Sequence, residues 1–313
     1  MIRIGSRGSA LARWQADHIA AELRARGHQV SIEILVTTGD RVQNAPFMQV
    51  GAKGMFTKEI EEALADERID LAVHSLKDLP TELPEHFVVA AIPQRADARD
   101  AFVSVRHRNF AALPSGAVVG TSSLRRQAQL RALRANLDIR ELRGNVDTRL
   151  RKLHQGQYDA IILAAAGLDR LGLAADVKEL FSSQQMCPAA GQGALAIECR
   201  TDDNATRLIV AALDYAPTRF AVHVERAALA TLGGGCHLPV GVYCAPAGNG
   251  WTITGVVARP DGSQVLREQM ELNEQHGSAE DAGRAMADRL LARGAVEFLA
   301  AAETAPSAGN IAR

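Results

Sequence analysis

Short apolar segments of strand length alternate with longer segments of helical periodicity along the first two thirds of the chain. The segments fall at residues 2–5, 11–23, 31–36, 57–67, 70–74 and 87–92, and again at 117–120, 123–135, 139–142, 146–154 and 160–165. The short segments are typical of strands, and the long ones repeat their apolar residues every three or four positions. Strands that alternate with helices in this way favour mainly parallel sheets with helices on both faces. The pattern therefore predicts an α/β fold.

Two stretches of this α/β part resemble each other. Ile4–Leu11 and Val119–Arg126 each contain a strand end, a glycine, hydroxyl residues, an arginine and the start of a helix, in that order. The likeness is short, but it predicts two similar lobes. In each lobe the N-terminus of a helix is expected to face a shared cleft.

The pattern changes in the last third of the chain. Strands are predicted at 251–258 and 264–272, around the turn Arg259–Gly262, and a long final helix follows Ser278. Strands that neighbour one another before a helix indicate an α+β arrangement. We therefore predict a smaller third domain at about 216–313.

Composition narrows the function classes. The 313 residues carry a formal net charge of −1 and 4% aromatic residues, which disfavours a nucleic-acid-binding module. The N-terminus lacks the apolar region of a signal peptide, and no apolar run approaches membrane-spanning length, so a cytoplasmic location without membrane contact is expected. The four cysteines form no C-x-x-C pair and no zinc spacing, and no metal site is predicted.

Arginines cluster where helices begin after strands. The turn Thr121–Arg126 combines hydroxyls, backbone N–H groups and two guanidinium groups, and Arg143 and Arg149 lie at the next strand-to-helix junction. Arg7 with Ser9 repeats the arrangement in the first lobe. Helix N-termini and guanidinium groups both bind anions, and arginine suits planar carboxylates. Solvated arginines on helix surfaces are the alternative, but this placement favours a ligand with several carboxylates.

A carboxylate is predicted at the end of another strand. Ser75, Lys77 and Asp78 follow the apolar strand at 70–74 and precede Pro80. A carboxyl group there can donate a proton or stabilise a cation. A capped turn with a surface ion pair is the structural alternative, and His74 is expected to be a hydrogen-bonded strand residue.

A glycine-rich loop presents one cysteine. Gly233, Gly234 and Gly235 precede Cys236, and glycine allows sharp turns and close approach of the backbone. The thiol is therefore well placed to hold a group. The alternative is a turn with an incidental cysteine.

Taken in order, the motifs resemble the hydroxymethylbilane synthase (porphobilinogen deaminase) family. They are Gly5–Ala12, Lys53–Phe56, Ala72–Pro80, Arg99–Phe102, Val119–Arg126, Leu142–Leu150, Gly191–Ala194 and Gly234–Cys236. The resemblance implies two periplasmic-binding-protein-like lobes and a C-terminal α+β domain. The implied domains are domain 1 at 1–93 and 194–211, domain 2 at 99–187, and domain 3 at 216–313.

The resemblance also implies an activity and a cofactor. Cys236 would hold a dipyrromethane cofactor through a thioether. Four porphobilinogen molecules would be joined to it head to tail with loss of ammonia, and water would release linear hydroxymethylbilane for tetrapyrrole and haem biosynthesis. The family further suggests a monomer.

Roles for individual residues follow from the same resemblance. Asp78 matches the catalytic aspartate, which assists departure of the amino group and stabilises an azafulvenium cation. The residues that match contacts to cofactor and substrate are Arg7, Ser9, Ser75, Lys77, Thr121, Ser123, Arg125, Arg126, Arg143, Arg149, Arg170 and Gln192. Lys53 and Phe56 fall in a loop that covers the cleft in this interpretation.

Two hypotheses of other classes stay open at this point. A non-catalytic two-lobed binding protein for a small polycarboxylate would explain the arginines, but it leaves Asp78 and Cys236 without a role. An RNA-binding module using the arginine-rich helix is disfavoured by the net charge and would show steep salt dependence.

Overall fold

A computed structural model describes residues 1–37, 57–235, 238–272 and 277–304. The chain divides into two compact units. Unit 1 comprises Met1–Ala96 and Gly193–Phe220, and unit 2 comprises Asp97–Gln192 and Ala221–Arg313. The three-domain boundaries given above stay a prediction.

A five-stranded sheet forms the centre of unit 1. Its strands are β1 (Ile2–Arg7), β2 (Val30–Leu35), β3 (Leu71–Ser75), β4 (Phe87–Ala91) and β10 (Leu195–Arg200). The order across the sheet is β2-β1-β3-β10-β4, with β1 parallel to both neighbours and β10 antiparallel to β3 and β4. The chain thus returns from unit 2 to insert a single reversed strand.

Helices cover both faces of this sheet. They are α1 (Ala10–Ala25), α2 (Lys58–Ala65) and α6 (Asn204–Ala211), and α7 (Ala216–Thr231) begins in unit 1 and continues into unit 2. Successive residues of a strand point to opposite faces. Val73 accordingly packs with Ile19 of α1, whereas Ala72 packs with Ile60 and Leu64 of α2. The alternation explains why β3 is buried at four of its five positions.

Unit 2 contains a second sheet of the same design. Its strands are β5 (Asp100–Val103), β6 (Val118–Gly120), β7 (Asp138–Arg140), β8 (Ala160–Ala164) and β9 (Val177–Leu180). The order is β7-β6-β8-β5-β9, with β6 parallel to its neighbours and β5 antiparallel to β8 and β9. Two similar, mainly parallel lobes are therefore confirmed. The reversed direction of one strand in each sheet was not predicted.

Helices α3 (Leu124–Leu133), α4 (Val146–His154) and α5 (Ala165–Arg170) accompany this second sheet. The remaining part of unit 2 has the predicted α+β character. An antiparallel sheet follows, composed of β11 (Val240–Ala247), β12 (Gly250–Ala258) and β13 (Val265–Leu272), with helices α8 (Ala279–Ala292) and α9 (Ala295–Thr304). Ser278 caps α8 in a capping box with Asp281.

Within the described ranges, no helix has both the length and the apolar character needed to cross a membrane.

The turn between β12 and β13 packs closely on α3. Arg131 of α3 donates from Nη1 to the carbonyl of Pro260 at 2.7 Å. Gly262 has φ +74°, and a Cβ atom there would lie 2.7 Å from Ala132 N and 2.8 Å from Ala128 O. The C-terminal sheet therefore contacts the second half of the helix whose first turn carries Arg125.

Replacing Gly262 with alanine is expected to destabilise the chain by about 2–4 kcal/mol, because the left-handed backbone costs roughly 1–2 kcal/mol and the overlap with α3 costs about as much again. Gly248→Ala is the matched control, since Gly248 has φ +56° and open space around its missing Cβ. Urea unfolding measures both variants. Equal losses would contradict the close packing of the turn on α3.

Candidate active site

In unit 1, the predicted carboxylate lies where β3 ends. Ser75 closes the strand and a 3₁₀ turn, Leu76–Asp78, follows. Leu76 N donates to Ala194 O at 3.0 Å, and Ser75 Oγ accepts from Gln15 Nε2 at 2.8 Å. Asp78 is exposed, and across the described ranges its carboxylate has no hydrogen-bonding or ion-pair partner. The main chain is thus held while the carboxylate stays available.

Arg7 and Ser9 lie at the same edge of the sheet. β1 ends at Arg7 and runs parallel to β3, with Gly5 opposite Ala72. Ser9 caps α1, and its Oγ accepts from Ala12 N at 3.3 Å. The carboxyl ends of parallel strands are where ligands of open α/β sheets bind. The sequence-predicted residues of unit 1 therefore share the expected edge.

His74 is a hydrogen-bonded strand residue, as predicted. Its Nε2 lies 2.8 Å from Oε2 of Glu198, and both side chains are buried. Their register explains the contact, because β10 places Ala196 opposite His74 and Glu198 opposite Ala72, on one face of the sheet. His74 therefore supports the sheet on the strand that leads to Asp78.

In unit 2, Arg125 and Arg126 converge on one carboxylate. Arg125 Nη1 donates to Asp100 Oδ2 at 2.7 Å, and Arg126 donates to Asp100 Oδ1 from Nε at 2.9 Å and from Nη2 at 2.7 Å. Gln192 Nε2 donates to the same Oδ1 at 2.9 Å. Asp100 is fully buried. The protein thus supplies an anion of its own, the Asp100 carboxylate, to the arginines in the first turn of α3.

The ion pairs of Asp100 with the two arginines set the electrostatics of this group. Burial raises the pKa of the Asp100 carboxyl, but the guanidinium groups of Arg125 and Arg126 lower it by more, so the pKa lies well below its ordinary value. Asp100 is therefore ionised at neutral pH and holds both guanidinium groups at the start of α3. A guanidinium group held in this way can still bind the carboxylate of a ligand through N–H donors that Asp100 does not use.

Arg125 keeps donors for such a ligand. The Arg125 side chain donates two hydrogen bonds, both from Nη1: one to Asp100 and one to the carbonyl of Cys187 at 2.6 Å. No hydrogen bond joins its Nε or Nη2 to the residues that the structure describes. The side chain is held firmly while part of its planar fork stays unused.

The first turn of α3 is organised by hydroxyls. Ser123 caps the helix, and its Oγ accepts from Arg126 N at 3.4 Å. Thr121 is buried, and its Oγ1 accepts from Ser123 N at 3.3 Å. Both hydroxyls therefore shape the turn that presents the arginines.

Three further arginines follow β7 and β8, the parallel neighbours of β6. Arg143 pairs with Glu141 at 2.5 Å, and Arg149 Nε donates to Gly144 O at 2.7 Å. Arg170 ends α5 and is 9% exposed, and burial lowers the pKa of its guanidinium to about 10, so it stays charged at neutral pH. Arg143 and Arg149 follow β7 at the predicted edge, whereas Arg170 lies one short helix beyond the end of β8. Some of the predicted site residues contact one another directly. Arg126 donates to Gln192 at 3.4 Å, and Ser123 is hydrogen-bonded to both Thr121 and Arg126.

Asp100 was absent from the predicted site. It lies in the motif Arg99–Phe102, but no role was predicted for it, because β5 is short and its partners β8 and β9 are distant in sequence. The available signal was an acidic residue directly before the apolar run Ala101–Val103. Such a residue at the start of a buried strand needs a cation.

Three predicted residues, Cys236, Lys53 and Phe56, lie outside the described residues. The loop toward Cys236 can be followed as far as Gly235. Gly233 and Gly234 have φ values of +105° and +62°, which favour glycine. The chain therefore leaves α7 by a turn that requires this composition.

Comparison with known proteins identifies the family. A family model described as "Porphobilinogen deaminase, dipyromethane cofactor binding domain" matches residues 2–208, and one described as "Porphobilinogen deaminase, C-terminal domain" matches 219–292. A porphobilinogen deaminase of Nitratidesulfovibrio vulgaris is 48% identical over 302 residues, covering 95% of each chain. One of Chromobacterium violaceum is 48% identical over 307 residues, covering 97% of this chain and 99% of the relative.

Among solved structures, a periplasmic substrate-binding protein from Coxiella burnetii covers 70% of this chain and 94% of its own, with a TM-score of 0.43 and 18% identity. The family assignment rests on the family models and the relatives, which span nearly the whole chain at 48% identity. The chain belongs to the porphobilinogen deaminase family.

Proposed function

We propose that this chain is a hydroxymethylbilane synthase that joins four porphobilinogen molecules head to tail, with loss of ammonia, and releases the linear product with water. Family membership supports the reaction. The structural observation that carries the proposal is the buried Arg125 guanidinium, which Asp100 and the Cys187 carbonyl hold through Nη1 while its Nε and Nη2 make no hydrogen bond to the described residues. A substrate that brings two carboxylates with every pyrrole suits these remaining donors.

The residues present fit a dipyrromethane cofactor. Its acetate and propionate groups require several cationic donors, and Arg125 and Arg126 offer them at the N-terminal end of α3. Attachment through Cys236 is proposed from the sequence motif, since that residue is outside the described ranges. When bound, the cofactor supplies the pyrrole to which the first porphobilinogen is joined.

Each set of residues has a proposed task. Arg125 and Arg126 bind carboxylates from a position fixed by Asp100, and Thr121, Ser123 and Gln192 keep them there. The proposed further contacts to cofactor and substrate are Arg7, Ser9, Ser75, Lys77, Arg143, Arg149 and Arg170. We also propose a cytoplasmic monomer.

Asp78 is proposed to handle the proton. Protonated, it donates to the departing amino group of porphobilinogen; ionised, it stabilises the cation that remains. Its exposed carboxylate, on a main chain held by Leu76 N and Ala194 O, supports this role.

Arg125→Lys is expected to lower kcat/KM for porphobilinogen about 10- to 100-fold, because a lysine ammonium lacks the planar fork that pairs with a carboxylate while still reaching Asp100. Arg151→Lys is the control, since Arg151 is exposed on α4, and it should stay within about twofold of the parent. Steady-state rates at several substrate concentrations measure both. A normal kcat/KM for Arg125→Lys would remove Arg125 from the binding site.

The reaction is tested by ammonia release. Purified protein given porphobilinogen should release one ammonia for each substrate consumed and yield a tetrapyrrole. A non-catalytic polycarboxylate-binding protein would retain the ligand without releasing ammonia, and that outcome would overturn the proposal.

A further inference from the structure

One side chain of α3 pairs with the main chain of a distant residue. Gln129 Oε1 accepts from Cys187 N at 2.8 Å, and Gln129 Nε2 donates to Cys187 O at 3.2 Å. The amide thus satisfies both the donor and the acceptor of one peptide segment, as a neighbouring strand would. Gln129 Nε2 also lies 3.3 Å from Arg125 O, and the whole side chain is buried.

The carbonyl held by Gln129 also binds Arg125. Cys187 O accepts from Arg125 Nη1 at 2.6 Å, which is one of the two contacts that orient this guanidinium. The position of a single oxygen atom therefore links Gln129 to Arg125, one turn apart on α3.

The C-terminal sheet holds the same segment from its other side. Val242 N donates to Pro188 O at 3.0 Å, and a Cβ atom on Gly241 would lie 2.8 Å from Cys187 O. The Cys187 carbonyl is consequently fixed between α3 and β11. An interaction so completely paired and buried leaves the guanidinium little freedom.

We propose that Gln129 is a positioning residue for the reaction, holding the Cys187 carbonyl and, through it, the Arg125 guanidinium in the orientation that a ligand carboxylate requires. This inference rests on the proposed function, which assigns Arg125 to the ligand. Methionine at position 129 would keep the length of the side chain and remove both hydrogen bonds. The carbonyl could then shift, and small displacements of a binding group reduce rates strongly.

The experiment compares Gln129→Met with Leu130→Val. Leu130 lies on the same helix, is fully buried and packs in the apolar core of unit 2, so its truncation destabilises α3 without touching Cys187. The first readout is the NMR cross-peak of the Arg125 Nε–H group, assigned by its absence in Arg125→Lys. The second readout is kcat/KM for porphobilinogen.

We expect the Arg125 cross-peak to shift in Gln129→Met and kcat/KM to fall about tenfold. In Leu130→Val the peak should stay in place and kcat/KM should change less than twofold. An unmoved peak in Gln129→Met, or an equal fall of kcat/KM in both variants, would overturn the inference. If Gln129→Met does not fold, Gln129→Glu keeps the acceptor for Cys187 N, loses the donor to Cys187 O, and is judged by the same two readouts.

The outcomes separate this inference from the proposed function. Loss of activity in Arg125→Lys with an unmoved peak in Gln129→Met refutes only the inference. Normal activity in Arg125→Lys refutes the assignment of Arg125 to the ligand, and the role of Gln129 in the reaction falls with it.

Discussion

Replacing Asp78 with asparagine is expected to lower kcat at least about 100-fold, because a positioned acid or base contributes roughly 10²- to 10⁴-fold to such a step. The amide has the size of the carboxyl group but cannot donate its proton or balance a cation. Since Asp78 is exposed and has no hydrogen-bonding partner within the described ranges, the fold should be unaffected. Single-turnover rates of ammonia release measure the loss.

The matched control for that variant is Glu82→Gln. Glu82 is an exposed carboxylate four residues further along the chain, and its neutralisation removes the same charge. It should leave kcat within about twofold of the parent. Similar rates for the two variants would mean that Asp78 acts only through general electrostatics.

The second large effect is expected for Asp100→Asn, with a loss of about 3–5 kcal/mol in the free energy of unfolding at pH 7. Removing one partner of a buried ion pair leaves the other charge uncompensated, and here two guanidinium groups lose their common carboxylate. Urea unfolding measures the loss. Asp138→Asn removes the exposed pair with Arg140 and should cost less than about 1 kcal/mol.

The difference in the free energy of unfolding between the parent and Asp100→Asn depends on pH with a defined sign. The pKa of Asp100 is lower in the folded state than in the unfolded chain, where an aspartate titrates at about 3.9. Its stabilisation is therefore complete above that value and is lost as pH falls toward the folded pKa. The gap between parent and Asp100→Asn should be constant from about pH 7 to 5 and narrow below about pH 4. A gap that widens on acidification would contradict a carboxylate role for Asp100.

Local sequence was sufficient for much of the fold. Apolar periodicity predicted α4 at 146–154, the residues at which the structure has it, and the echo between Ile4–Leu11 and Val119–Arg126 predicted two similar sheets. These features depend on residues close in sequence, which set helix caps and strand ends. The turn at Arg259–Gly262 was likewise visible from its composition.

The reversed strands β5 and β10 were beyond local reasoning. β10 pairs with β3, more than a hundred residues earlier, and its apolar run would fit a parallel strand equally well. Strand direction depends on such distant pairing. Missing β5 also hid Asp100, so the sequence showed the arginines without the carboxylate that holds them.

The sequence predicted the class of ligand and the strand ends that form the candidate site, but not the contacts that hold its side chains. The types and order of residues pointed to carboxylate binding, and the structure places Arg7, Asp78, Arg125 and Arg143 at or just beyond the carboxyl ends of strands. Burial of Arg125 and its contact with the Cys187 carbonyl were not predictable, because they arise from a segment sixty-two residues away. Gln129 gave no local signal, since a glutamine in a helix is ordinary.

The intact mass of the purified protein under denaturing conditions, with a peptide map across Cys236, tests the proposed function most directly. We expect a mass excess of two linked pyrrole units, located on the peptide that contains Cys236. A bare mass that rises by the same amount after addition of porphobilinogen would also agree, because it identifies apoprotein that builds its own cofactor. A bare mass that stays unchanged after porphobilinogen is added would contradict the proposal.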